Sequence, residues 1–275
     1  MSICTMNFFA STLNFRTEVR VALPEYPEQR AASTDRRRAY DRSIRFPVVY
    51  LLHGYTGDYT DWLTMVPIER YAQAYGMAVV MPHGYNSWYM NLPHGPRVED
   101  FIADELPAAM EALLPIADCA EERFIAGLSM GGMGAVSIAL KHPERYRACA
   151  SASGVMSRRL LEAQYAEGPD ADPEMLERIH YASRGGEEPE IEELYLRLKR
   201  GNASIPPHLF LYGEQDEMFD SQCRWFEAFA RSHALPVTAA CWPGAHDFGF
   251  WDPAVQRMLE WFGTRRSTPD GKEEP

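Results

Sequence analysis

The chain has 275 residues, 46% hydrophobic and 24% charged, which is enough apolar material for one large core or two small ones. A formal charge of −12 argues against nucleic acid and anionic membrane surfaces as partners, since both need a basic face. No run of about 18 apolar residues exists, so no membrane-spanning helix is expected.

The first basic residue is Arg16, which leaves no positive region ahead of the weakly apolar start and argues against a secretory leader. Cys4, Cys119, Cys149, Cys223 and Cys241 are odd in number and lack C-x-x-C spacing. They are expected as free, mostly buried thiols in a reducing compartment, the cytoplasm.

Residues 6–11 and 15–23 are β-rich runs on either side of Thr12-Leu13-Asn14 and predict an antiparallel hairpin at a sheet edge. The polar stretch 24–43 carries Arg36-Arg37-Arg38, read as a solvated surface loop. FPVVYLL (46–52) is a continuous apolar strand of the kind buried on both faces of a parallel sheet. His53-Gly54-Tyr55-Thr56-Gly57 follows, then Trp62, a helix over 67–75 and a second buried strand over 76–81. A helix over 98–114 carries Phe101, Ile102, Leu106, Met110, Leu113 and Leu114 at helical spacing, with Pro107 inside it as a kink.

The next stretch, RFIAGLSMGGMGA (123–135), organises the chain. A short buried strand turns directly into a helix through Gly127-Leu128-Ser129-Met130-Gly131. G-x-S-x-G at such a junction strains one residue and lifts its side chain clear of the sheet. The flanking glycines avoid collisions that a Cβ would cause, and the Met130 N–H is exposed at a helix N-terminus. Ser129 is therefore the candidate nucleophile, on a helix that runs to Lys141 and stops at His142-Pro143.

A strand over 147–151 comes next. The alternation then breaks at 156–202, where three helical pieces (157–166, 173–182 and 189–199) are separated by Gly168-Pro169 and Gly185-Gly186. This insertion reads as a helical cap over the site. Strand 208–212, helix 219–233, strand 237–242 and helix 253–262 resume the rhythm, and the polar tail from Thr264 is expected to fray. The fold class is α/β: one domain with a mostly parallel sheet covered on both faces.

A serine hydroxyl needs a base, and the base needs a group that holds its tautomer. Gly213-Glu214-Gln215-Asp216 and Pro243-Gly244-Ala245-His246-Asp247 follow the last two strands. His246 is assigned as base and Asp216 as orienting acid, with Glu214 and Asp220 as rival acids. The other histidines, His53, His83, His94, His142, His180, His208 and His233, do not lie on a loop after a late strand. The second oxyanion donor is expected from the Tyr55 N–H, with Gly54 keeping the approach clear. The aromatic loop after strand 76–81 offers Tyr85, Trp88, Tyr89 and Met90 as acyl-pocket residues. No histidine pair has metal-ligand spacing, and neither a metal nor a cofactor is expected. The expected partner is a small ester, and homo-oligomer formation is left open.

Over most of its length the chain resembles the esterase D / tributyrin esterase branch of the α/β-hydrolases. That branch includes S-formylglutathione hydrolases and is related to feruloyl and acetylxylan esterases. The resemblance rests on MNFFASTLNFRTEVRVALP, VVYLLHGYTGDYTDW, DFIADELPAAMEALLP, RFIAGLSMGGMGA, LFLYGEQDEMF and PGAHDFGFWDPAVQRMLEWF. It implies the α/β-hydrolase fold, a short-chain carboxylesterase, and support for Ser129, Asp216, His246, Tyr55 and Met130 in their assigned roles. S-formylglutathione hydrolases usually carry Leu-Thr-Cys after the His-Gly pair, where this chain has Tyr55-Thr56-Gly57. Thioesterase, acyltransferase and a non-catalytic receptor are the alternatives on the same scaffold.

Overall fold

The hairpin at the start of the chain forms the edge of an eight-stranded sheet: β1 (Ser2–Ala10) pairs antiparallel with β2 (Phe15–Leu23). Asn14 closes the turn at φ 63, a left-handed value that asparagine tolerates, and its N–H donates to Ala10 O at 2.8 Å. The strand begins at Ser2 rather than Met6, because Ser2–Thr5 continue the ladder against Arg20–Leu23. The computed structural model describes residues 2–25, 45–167, 171–184 and 187–266. Arg36-Arg37-Arg38, Gly168-Pro169, Gly185-Gly186 and the tail from 267 lie outside the described residues.

The remaining strands are β3 (Val48–Leu52), β4 (Ala78–Pro82), β5 (Arg123–Leu128), β6 (Ala148–Ala152), β7 (His208–Gly213) and β8 (Val237–Trp242). Their order is β1-β2-β4-β3-β5-β6-β7-β8, antiparallel at the β2–β4 seam and parallel from β4 to β8. The alternation along β3 fixes the two layers. Val48, Tyr50 and Leu52 face one core, and Val49 and Leu51 face the other. The first core is covered by Leu106–Leu113, Met130–Lys141 and Asp220–Ser232, the second by Ile68–Tyr75 and Phe248–Gly263.

Pro107 does not kink its helix in the expected way. The segment runs Val98–Asp100, then a wider π turn at Phe101–Glu105, then Leu106–Leu113 with the proline in its first turn. The Ala103 carbonyl, which an amide at position 107 would otherwise reach, instead accepts from Arg145 Nη1 at 2.6 Å. The final helix starts at Phe248, five residues ahead of the sequence expectation, because the Asp247 side chain accepts from Phe250 N–H and nucleates it upstream of Pro253. The Thr264 N–H bonds Glu260 O at 3.2 Å, and the Arg265 guanidinium lies 3.5 Å from the centre of the Trp261 ring.

Between β6 and β7 the chain leaves the sheet for three helices, Arg158–Ala166, Pro173–Ala182 and Ile191–Arg200. Ser157 and Asp172 cap the first two with side-chain oxygens. No described helix is long and apolar enough to cross a membrane.

Candidate active site

Ser129 sits between β5 and its helix at φ 51, ψ −119, outside the ordinary regions for a residue with a side chain. Close packing holds it there. A Cβ on Gly127 would lie 2.4 Å from the Gly131 carbonyl, and one on Gly131 would lie 2.2 Å from Leu52 O. The Ser129 N–H continues the sheet by donating to Ala152 O at 2.9 Å. The hydroxyl makes no capping bond and is left for chemistry.

The loops after β7 and β8 are zipped together. Gln215 N–H donates to Gly244 O at 2.9 Å, and Gly244 N–H donates to Gln215 Oε1 at 2.7 Å. Gly213 permits this approach, since a Cβ there would meet Gly244 O at 2.2 Å. The zip brings His246 Nδ1 to 3.0 Å from Asp216 Oδ2, while His246 Nε2 lies 3.0 Å from Ser129 Oγ. Asp216 is fully buried, and its other oxygen accepts Phe219 N–H at 3.2 Å. Phe219 and Trp251 both meet the His246 ring edge-to-face at 4.8 Å and fix its plane. The rival acids lie elsewhere. Asp220 pairs with Arg224 Nε at 2.8 Å, and Glu214 is exposed.

Two backbone donors stand out near Ser129. The Tyr55 N–H, on the loop after β3, has no acceptor among the described residues, and the Met130 N–H is one of the first amides of the helix after β5, which have no intrahelical partner. His53, which sequence reasoning set aside, shapes the loop after β3. Its Nδ1 lies 2.7 Å from Gly54 O, and its Nε2 accepts Gly84 N–H at 2.7 Å, so the proton resides on Nδ1. Burial holds the ring neutral, with its pKa lowered to about 4. Gly54 O and Tyr55 N–H belong to one planar peptide, so anchoring the oxygen aims the N–H the opposite way. Tyr89 Oη donates to His53 O at 3.0 Å, and Asn86 Oδ1 accepts Thr56 N–H at 2.7 Å.

A cavity of about 480 Å³ opens beside Ser129 and His246. Of the four expected acyl-pocket residues, only Trp88 lines it. Tyr85 turns toward the hairpin, with its hydroxyl 2.5 Å from Thr17 Oγ1. Tyr89 is buried beneath the His53-Gly54 peptide, in space left by Gly84 and Gly134, and Met90 belongs to the core. Sequence reasoning missed Asp61, Met218, Phe248 and Trp251 in the wall; Tyr165 and Met175 come from the inserted helices. The Asp247 cap was the signal available for Phe248 and Trp251. Among the described residues, no group of three or more His, Cys, Asp or Glu side chains is placed to hold a metal ion.

Comparison with known proteins follows the same lines. A family profile described as "Putative esterase" matches residues 10–262. An acetyl esterase of Caldicellulosiruptor saccharolyticus is 27% identical over 271 residues, covering 95% of this chain and 98% of that protein. Among solved structures, the Staphylococcus aureus fluorophosphonate-binding serine hydrolase FphF superposes with TM-score 0.80 at 26% identity, covering 95% of this chain and 98% of that one. The S-formylglutathione hydrolase FrmB from Staphylococcus aureus gives TM-score 0.78 at 26% identity with the same coverage.

Proposed function

Because the chain belongs to the esterase family whose profile spans most of it, and is a carboxylic ester hydrolase with the α/β-hydrolase fold, we propose that Ser129, His246 and Asp216 form its catalytic triad. The observation that carries this is the unbroken pair of 3.0 Å contacts from Asp216 Oδ2 through His246 to Ser129 Oγ. Ser129 Oγ attacks the ester carbonyl while His246 Nε2 takes its proton. Asp216 holds the Nδ1–H tautomer and stabilises the imidazolium. The carbonyl oxygen becomes an oxyanion received by the N–H groups of Tyr55 and Met130, which are pre-aimed and cost no reorganisation. His246 returns the proton to the leaving alcohol, and water repeats the sequence on the acyl-enzyme.

The acyl group is short. Support comes from the Trp88 wall of the cavity and from the similarity to an acetyl esterase. The three inserted helices act as a cap on one domain, since Tyr165 and Met175 close part of the cavity. Membership of the tributyrin esterase branch and a cytoplasmic location complete the reading, the latter supported by five free cysteines. The test is a panel of acetyl to octanoyl, feruloyl and thioester substrates. Highest kcat/KM on acetyl to butyryl oxygen esters supports the assignment, and a preference for the thioester redirects it.

A further inference from the structure

The cavity beside Ser129 is lined by six aromatic side chains, Tyr55, Trp88, Tyr165, Phe219, Phe248 and Trp251. Apart from His246, Asp61 is the one ionisable acid or base of conventional charge among the described lining residues, and neither lysine nor arginine faces the space. Its carboxylate lies against the loop that carries the Tyr55 N–H; a Cβ on Gly57 would come 2.0 Å from Asp61 Oδ2. Among the described residues Asp61 forms no ion pair. The nearby Asp58 is satisfied locally by Thr60, whose N–H and hydroxyl donate to Oδ1 at 2.6 and 2.5 Å. Burial, and then the like charge of Asp58, raise the Asp61 carboxyl above its ordinary range, against a hydrogen bond from the Asp58 backbone that lowers it. A partly desolvated carboxylate without a counter-charge is costly, and an incoming cation would remove that cost.

Resting on the esterase reading above, we propose that this cavity selects esters carrying a protonated or quaternary ammonium group, held by the Asp61 carboxylate and the aromatic side chains that line the cavity with it. Aromatic faces attract such cations through the ring quadrupole, most strongly where water is excluded. The chain's formal charge of −12 adds a field that draws cations and repels anionic esters.

The experiment uses two substrate pairs. The first compares the acetate ester of choline with the neutral isostere in which carbon replaces the ammonium nitrogen. The second places the trimethylammonium group, or its carbon isostere, at the end of a butyryl-type acyl chain on p-nitrophenol. The expected result is a kcat/KM ratio of about tenfold or more for the cation in one pair, which identifies the side of the ester that Asp61 reads. In Asp61→Asn that ratio should fall to near unity. Tetramethylammonium should also inhibit hydrolysis of p-nitrophenyl acetate competitively in the parent, a readout that needs no variant. Ratios near unity in both pairs, an unchanged ratio in Asp61→Asn, or absence of competition would overturn the inference while leaving the esterase reading intact. Failure to hydrolyse any member of either pair would overturn both.

Discussion

His53→Ala tests whether the Tyr55 N–H is an aimed donor or a bystander. The substitution removes the Nδ1 donor from Gly54 O and the Nε2 acceptor from Gly84 N–H, both at 2.7 Å in a fully buried position. Gly54 O keeps the Gly57 N–H at 3.3 Å, whereas the Gly84 N–H is orphaned, so stability should fall by about 1–3 kcal/mol from that group. The rate effect is separate. Losing one oxyanion donor outright costs about 10²–10³ in kcat, and a donor that is loosened rather than lost should cost about 10- to 100-fold. Because this bond strengthens toward the transition state, KM should change by less than about threefold. His53→Asn, which returns an amide donor near the position of Nδ1, should recover part of kcat. Kinetics on p-nitrophenyl acetate, run well below each variant's melting temperature, give both numbers. A folded His53→Ala with kcat within about twofold of the parent, or with its loss confined to KM, refutes the reasoning.

Asp216→Asn should lower kcat by about 10⁴-fold, through the wrong His246 tautomer, while Asp220→Asn should change it by less than about threefold; equal losses would mean the acid is misassigned. Trp88→Ala should shift the acyl-length optimum upward, each added methylene contributing up to about 0.8 kcal/mol once the wall is gone; an optimum unchanged from acetate to decanoate clears Trp88 of that role. His208 lies wholly buried between Ser151 Oγ (2.8 Å) and Tyr195 Oη (2.9 Å), and burial lowers its pKa from 6.5 to about 3. The unfolded chain therefore takes up this proton first, so the contribution of His208 to stability is complete above pH 6.5 and is lost as pH falls toward 3. Between pH 7.5 and 5 that loss is about 2 kcal/mol, and urea midpoints of His208→Gln should show a correspondingly smaller decline than the parent; identical declines would refute it.

The sheet and the Ser129 turn were legible because their signals are local. FPVVYLL and FIAGL are short continuous apolar runs, the pattern of a strand covered on both faces, and the glycines at 127 and 131 stand where backbone crowds backbone. The late loops were legible from chain order, and the structure brings His246 and Asp216 together there. The cavity wall was not. Tyr85, Asn86, Trp88 and Tyr89 all have positive φ, so the loop turns at nearly every residue and sends neighbouring aromatics in different directions. No periodicity encodes that path. His53 was passed over because its role is to hold a peptide plane, and a histidine before glycine carries no such mark in sequence. Pro253 read as a helix start, yet the Asp247 cap acts earlier and carries Phe248 and Trp251 into the site.

The central claim is that Ser129 carries the acyl group. Intact-protein and peptide mass spectrometry of enzyme mixed rapidly with p-nitrophenyl acetate, then quenched in acid, measures this directly. The account predicts one added acetyl group per chain, located on the peptide containing Ser129, accumulating further in a variant slowed at deacylation and absent from Ser129→Ala. An acetyl group on another residue, or undiminished turnover in Ser129→Ala, would contradict it.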